Sequence, residues 1–353
     1  MHYLENKEPE AIFEKVVHCL ENGLPFAIYR KPDQQELQAV FQTDKDLLVS
    51  KDFDEKGFLF APFDTEGDAI LIRPDEVWKG KYKTEILAHT AHINLVEDGK
   101  EIHVDLIKKG IQEIKKGRLQ KVVLSRKIEV PLTKSPLEIF KALLGTCPHA
   151  FGYLFHHPKV GTWCGATPET LVKVKDKELN TMSLAATLPY VAGEVPKWGS
   201  KEVDEQQMVS EYIGDKLAHT MEHLEIDDAE SVRAGTLWHL RSEVRGTMLP
   251  NIKTKEAVRA LHPTPAICGI PTAEAKEFIK KNENYKRTFY TGFLGELNFG
   301  AKEETSLYVN LRCMELNKYN ATIFVGGGIT EASDPESEWV ETQNKSKTML
   351  NVL

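Results

Sequence analysis

Apolar residues recur at helical spacing at Ile12, Val16, Val17 and Leu20, and the stripe stops at Gly23 with Pro25 beyond. That spacing predicts an amphipathic helix. Phe58-Leu59-Phe60 and Ala69-Ile70-Leu71-Ile72 are short apolar runs between charged loops and predict strands. A second stripe, Leu106, Ile107, Ile111 and Ile114, predicts a helix over 104–116 that ends at Gly117. A β-rich run over 119–130 follows. Ser135-Pro136-Leu137-Glu138 then combines a capping Ser, Pro in the first turn and Glu three residues on, which predicts a helix start. Beyond Ala150 strands dominate, predicted at 151–155, 161–164, 178–187, 237–248, 289–298, 306–316 and 321–325. Helices are predicted at 201–224, 255–261, 273–282 and 335–350. Several strands follow one another through short turns without a helix. The expected fold class is therefore α+β, with large, mostly antiparallel sheets covered by helices, and not a doubly wound parallel sheet.

Composition narrows the function. Hydrophobic residues make up 41% and charged residues 28% of the 353, with 23 Gly and 17 Pro, an ordinary globular mixture that excludes a disordered or collagen-like chain. Lys and Arg number 45 against 53 Asp and Glu, a net charge of −8, so no global positive field draws in nucleic acid. An anionic substrate would have to be held by local cations or a metal. The five cysteines, Cys19, Cys147, Cys164, Cys268 and Cys313, are widely spaced with no Cys-x-x-Cys pair, which predicts reduced thiols and a cytoplasmic protein. No basic segment leads into an apolar run at the N-terminus and no 18 apolar residues are consecutive, so neither export nor a membrane partner is expected. No internal repeat is visible. The charged stretch 97–101 is the one boundary candidate and reads equally as a loop, so a single unit over 1–353 is expected, and with no long heptads, a monomer.

Familiar motifs fail. Gly326-Gly327-Gly328 follows a strand but lacks the spacing of a dinucleotide fingerprint, and neither a P-loop nor a Gly-x-Ser-x-Gly elbow occurs. His219-Thr220-Met221-Glu222-His223 matches a zinc pattern if it lies on a helix, yet no third ligand can be placed, and acids follow it directly. An exposed helix end is the better expectation.

Carboxylates on apolar faces are more informative. Glu205 lies one turn before Val209 on the stripe of the 201–224 helix, so it is expected to be buried or half-buried. Burying an ionised carboxylate costs several kcal/mol, roughly, unless a cation or hydrogen bonds compensate, which points to an ion pair or a metal. The last helix begins Ser333-Asp334-Pro335 and puts Glu338, Glu341 and Lys345 on one face. Acids near a helix N-terminus are favoured by its dipole alone. Two helices offering carboxylates to a common point would also suit Mg²⁺, which takes one or two carboxylates and completes its shell with water and substrate oxygens. Lys121 alternates with Val123 and Ser125 along a strand face; in a dry pocket such a lysine could act as a base if its pKa were lowered. Glu169 stands beside a turn in Thr167-Pro168-Glu169. Arg312, in an apolar strand, has the fork geometry for a carboxylate or for a cross-sheet ion pair.

In one consistent order from about Leu119 to the C-terminus, these segments resemble the chorismate-utilising enzyme family. The residues that carry the resemblance are Lys121-Val122-Val123-Leu124-Ser125-Arg126, Gly165-Ala166-Thr167-Pro168-Glu169-Thr170-Leu171, Leu184-Ala185-Ala186-Thr187, Ser200-Lys201-Glu202 with Glu205, and Leu237-Trp238-His239-Leu240. Further on come Leu261-His262-Pro263-Thr264-Pro265-Ala266, Leu311-Arg312-Cys313, Gly326-Gly327-Gly328-Ile329, and Glu338-Trp339-Val340-Glu341-Thr342 with Lys345. Residues 1–118 match only weakly. The His262 to Ala266 segment is similar to that of the isochorismate synthase branch, and Lys121 stands where the ammonia-using relatives usually have Gln.

The resemblance implies chorismate as substrate, Mg²⁺ as cofactor and water as nucleophile. It implies Lys121 as general base and Glu169 as general acid, with Glu205 and Glu338 on the metal and Glu202 and Glu341 around it. Ala186, Thr187, His262, Arg312 and Lys345 would contact the substrate, with main-chain N–H groups at Gly327 and Gly328 forming a small anion nest. Two departures stand out: Ala186 replaces the family's usual Gly, and Glu202 stands where Asp is common. Salicylate synthase, an ammonia-using synthase subunit and a non-catalytic chorismate binder are the alternative functions.

Overall fold

The computed structural model describes residues 4–64, 66–84, 97–234, 237–300 and 302–353. All twenty described strands fall into two sheets. The first runs in the order Leu4–Asn6, Glu76–Lys81, Glu36–Phe41, Phe26–Arg30, Phe151–His157, Gly161–Thr167, Cys313–Leu316, Asn320–Ile329, Lys121–Pro131, Gly269–Ile270. The second runs Met221–Ile226, Leu237–Met248, Glu178–Pro189, Thr170–Lys175, Glu304–Val309, Phe293–Phe299, Gly57–Ala61, Ala69–Ile72, Leu48–Ser50, with Glu230–Ala234 also on Leu237–Met248. Among the described residues only Leu4–Asn6 and Glu76–Lys81 pair in parallel, so the expected antiparallel α+β class holds. Strands from the first hundred residues extend both sheets.

Side-chain alternation explains the layering. In Phe26–Arg30, Phe26 and Ile28 join a core under the helices Pro9–Asn22 and Pro136–Thr146. Ala27 and Tyr29 point the other way, into an aromatic core between the sheets. There Phe151 of the first sheet stacks on Tyr308 of the second at 4.1 Å, and Phe60 of the second lies 4.5 Å from Phe155 of the first, so rings from both sheets interdigitate. Helices Ser200–Leu217 and Thr254–Leu261 cover the outer face of the second sheet through Val209, Ile213, Leu217 and Val258. A strand buried on both faces has no polar alternation to betray it. Phe26–Arg30 is such a strand, and the hydropathy pattern did not reveal it.

The helix starts were legible. Ser135 Oγ accepts from Glu138 N at 3.3 Å while the Glu138 carboxylate accepts from Ser135 N at 2.7 Å, a complete capping box. Asp334 likewise accepts from Ser337 N at 2.8 Å at the head of Pro335–Leu350.

Two predicted elements are corrected. The 201–224 helix ends at Leu217, and Met221–Ile226 is a strand paired with Leu237–Met248. His219 and His223 therefore do not face one another across a helical turn, and His223 Nε2 instead lies 2.9 Å from Glu225. The predicted 306–316 strand is two strands in different sheets, Glu304–Val309 and Cys313–Leu316, parted at residues 310–312. Arg312 lies in that break, not in a strand.

Candidate active site

The chain crosses between the sheets at two adjacent places. Pro168 and Glu169 link Gly161–Thr167 of the first sheet to Thr170–Lys175 of the second, and residues 310–312 make the return link. The crossings are bonded to each other: Val309 N donates to Glu169 O and Ala166 N to Arg312 O, both at 3.0 Å. A Cβ on Gly165 would meet Tyr153, Cys313 and the Arg312 carbonyl at 3.0 Å or less, so the glycine permits this close approach. Arg312 is left with φ 47°, in the left-handed region that costs a non-glycine residue roughly 1–2 kcal/mol. The sheets part beyond the crossings. In the split lies a narrow cleft of about 80 Å³, lined by residues of both sheets.

One wall of the cleft is dry. Glu169 is buried, with Pro168, Leu184, Ala185, Ile267 and Leu311 around the cleft beside it, and no described side chain bonds its carboxyl. Burial pushes the carboxyl up to about 8, although the charge of Lys121 acts the other way. At neutral pH this acid is largely protonated. Beside it the pairing of Glu178–Pro189 with Leu237–Met248 slips between Ala185 and Leu188, turning Ala186 and Thr187 toward the cleft. Ala186 sits at φ 59°, a left-handed conformation that glycine would adopt without strain.

His239 joins this bulge to the arginine. Its Nδ1 lies 2.8 Å from Ala186 O and its Nε2 3.4 Å from Arg312 Nη2. Burial first, then the charges of Arg312 and Lys345, lower the imidazole to about 3, so the ring is neutral. Nδ1–H then donates to the carbonyl, leaving the Nε2 lone pair to accept from the guanidinium. The sequence reading included His239 in a motif without giving it a role; a His alternating along a strand is the only signal it offers.

The opposite wall is charged. Lys121 is 0% exposed, and its Nζ lies 2.8 Å from Glu205 Oε1 but at an angle that leaves its N–H groups without a well-aligned acceptor. Lys201 Nζ donates to Glu338 Oε1 at 2.6 Å, and Lys345 Nζ donates to Glu341 Oε1 at 2.6 Å and to Gly326 O at 2.9 Å. Lys201 stood in a motif of the sequence without a role, because a lysine in a first helical turn reads as a solvated charge. Burial pushes Glu205 up, but Lys121 and then Lys345 and Lys201 outweigh it and hold the carboxyl below its ordinary range. Glu338 goes the other way: burial and the neighbouring Glu341 raise it against the pull of Lys201.

The three glycines make room for these groups. A Cβ on Gly328 would sit 2.5 Å from Glu205 Oε1 and 2.9 Å from Lys121 Cε, and one on Gly327 would sit 3.3 Å from Glu338 Oε2 and 3.5 Å from Glu341 Oε1. Both lie in the strand Asn320–Ile329, paired with Leu124 and Val123, and neither has a positive φ. The backbone here is an extended strand and not the αR–αL turn of an anion nest. The strand carrying Lys121 is fixed from behind by the buried Glu283–Arg287 pair. Arg287 donates to Val123 O at 2.7 Å and to Ile267 O at 2.8 Å, tying the lysine's strand to the cleft wall.

Of the residues singled out from the sequence, the structure brings Glu169, Ala186, Thr187, Glu205, Arg312, Glu341 and Lys345 to the cleft, with Lys121, Gly327, Gly328 and Glu338 directly behind it. Glu202 is turned away and accepts from Gly199 N at 3.0 Å, capping its own helix. His262 lines a neighbouring cavity with Phe293, its Nε2 3.2 Å from Phe63 O.

A divalent cation suits the charged wall. Glu338 is 2% exposed, and its Oε2 has no hydrogen-bond partner, a buried carboxylate oxygen left without a donor. No group of three or more acid, His or Cys side chains is close enough to chelate a metal by itself among the described residues. Mg²⁺ does not require one, since water and substrate complete its shell.

A model of the chorismate binding enzyme family matches residues 75–353, reaching back beyond Leu119. Isochorismate synthase DhbC of Bacillus subtilis is 30% identical over 318 residues, covering 83% of this chain and 79% of that protein. The chain belongs to the chorismate binding enzyme family. Isochorismate synthase EntC of Escherichia coli is 29% identical to this chorismate-binding enzyme over 250 residues, covering 67% of the chain and 63% of EntC. Among solved structures, one described as a 2,3-dihydroxybenzoate-specific isochorismate synthase, DhbC of Bacillus anthracis, superposes with a TM-score of 0.81 at 25% identity, covering 96% of this chain and 98% of the other. The menaquinone-specific isochorismate synthase MenF of Escherichia coli, at TM-score 0.78 and 20% identity, covering 93% of this chain and 88% of its own, bears on the fold alone. Among the described residues no helix is long and apolar enough to cross a membrane.

Proposed function

We propose that this chorismate-binding enzyme is an isochorismate synthase that converts chorismate to isochorismate, and that it acts as one catalytic unit because its first hundred residues supply strands to both sheets. The observation that carries the proposal is the opposition of a fully buried lysine, Lys121, among carboxylates on one wall and a neutral acid, Glu169, on the other. Chorismate carries a ring carboxylate, an enolpyruvyl carboxylate and a C4 hydroxyl. Water adds at C2 while the ring double bonds shift toward C4 and the C4–O bond breaks.

Lys121, once it has released its ammonium proton, takes the proton of the attacking water, and Glu169 gives its proton to the departing hydroxyl, which leaves as water. The net reaction is an isomerisation, and the two groups end with their protonation exchanged. Arg312 and Lys345 neutralise the enolpyruvyl carboxylate, with His239 holding the guanidinium and Ala186 and Thr187 shaping the ring pocket. Glu205 and Glu338 would hold Mg²⁺, with Glu341 beside them, and the charge it supplies when bound neutralises the ring carboxylate as electrons move through the ring. Lys121 is the reason to prefer water over ammonia as nucleophile, since Gln usually fills that position in the ammonia-using relatives.

Incubation with chorismate, Mg²⁺ and ammonium, with products identified by mass, tests the proposal. Isochorismate alone supports it. Salicylate with pyruvate, an amino product, or unchanged chorismate would each replace it with a different function.

A further inference from the structure

The charged wall pairs three lysines with three carboxylates, Lys121 with Glu205, Lys201 with Glu338 and Lys345 with Glu341. Within these pairs the charges cancel. Adding a dication with nothing leaving would put two uncompensated positive charges into a largely buried wall, where the cost is far higher than in water. Unless a lysine gives up its proton, one of the six groups must therefore give way when a metal enters. Lys121 is 0% exposed, and Lys345, at 15%, is also anchored to Gly326 O. Lys201 is 28% exposed, stands in the first turn of Ser200–Leu217, and is paired with the carboxylate whose other oxygen is orphaned. It is the ammonium with a path to water.

We propose that Lys201 is a resident counter-cation that occupies Glu338 until a divalent metal replaces it, so that the competition between the two sets the metal affinity of the enzyme. This rests on the reading that Glu338 is a metal ligand. Lys201 neutralises Glu338 beside Glu341 in the metal-free protein, where two carboxylates facing across Gly327 would otherwise repel. Its departure to solvent is the cost that the incoming ion must offset. Lys201 is accordingly a positioning residue: it tunes the ligand and does not touch the reacting atoms.

Binding of Mn²⁺ to the full-length protein, read from the loss of the free-ion resonance signal without substrate or turnover, tests this. Lys201→Met should bind Mn²⁺ roughly tenfold more tightly than wild type or better, Lys201→Arg should bind like wild type, and Glu338→Gln should lose binding. The Lys201→Met protein should melt lower than wild type without metal and gain more from Mn²⁺. Unchanged or weaker binding by Lys201→Met, with binding lost in Glu338→Gln, would overturn the counter-cation role and leave the metal site standing. Wild-type binding by Glu338→Gln would overturn both.

Discussion

The two walls of the cleft use the same side chain to opposite ends. Glu169 sits among Pro168, Leu184 and Leu311 with no described side chain bonded to its carboxyl, and burial leaves it a proton donor near neutral pH. Glu205, a short way across, is also largely covered, but Lys121, Lys345 and Lys201 turn it into a standing anion. Desolvation raises both carboxyls, and the number of cations within reach decides the outcome. An acid and a set of anions are thus kept apart by neighbours, not by residue type.

The largest predicted effect breaks each wall in turn. Lys121→Ala and Glu169→Ala should each lose roughly 10² or more in kcat while still binding chorismate, because each removes a proton-transfer partner and no carboxylate clamp. Steady-state rates with chorismate binding measured separately check this; near-wild-type turnover in folded Lys121→Ala protein would remove the base.

Glu169→Gln sharpens the contrast through stability. The native state keeps the Glu169 proton up to about pH 8, whereas the unfolded chain sheds it near 4.5. Its contribution to stability is therefore greatest below 4.5, declines as pH rises between the two values, and is fully lost above about 8. The neutral amide escapes that loss, so Glu169→Gln should gain on wild type by roughly 2–4 kcal/mol between pH 5 and pH 9 in denaturant titrations. A constant difference across that range would contradict a buried neutral acid.

Arg312→Ala should raise KM by roughly tenfold or more with a smaller change in kcat, since a carboxylate clamp acts in ground and transition states alike. The smallest effect falls on the bulge. Ala186→Gly relieves the left-handed strain but frees the unfolded chain, so the two contributions partly cancel and stability should rise by about 1 kcal/mol or less, read from the denaturation midpoint.

Much of this could be read along the chain, and the exceptions share a cause. Ser135, Asp334 and the limits of Leu237–Met248 were legible because caps and alternation are local. The break at 310–312 was not, since Leu307 to Leu316 carries no Gly or Pro and its division comes from two sheets parting. The end of the helix at Leu217 was hidden likewise, because Ala218-His219-Thr220 contains no strong helix breaker. At the site, Glu169, Glu205, Glu338 and Lys121 were found as charges on apolar faces or in motifs. Lys201 and the linkage through His239 were missed, for their roles exist only once distant elements meet.

The measurement that bears most directly on opposed base and acid is turnover of chorismate with Mg²⁺ in H₂¹⁸O, followed by mass analysis of isochorismate. Water activated by Lys121 and a hydroxyl expelled by Glu169 predict one ¹⁸O in the product, at C2. Isochorismate formed without ¹⁸O would mean that the original hydroxyl migrates, and would contradict addition of water from one wall with departure at the other.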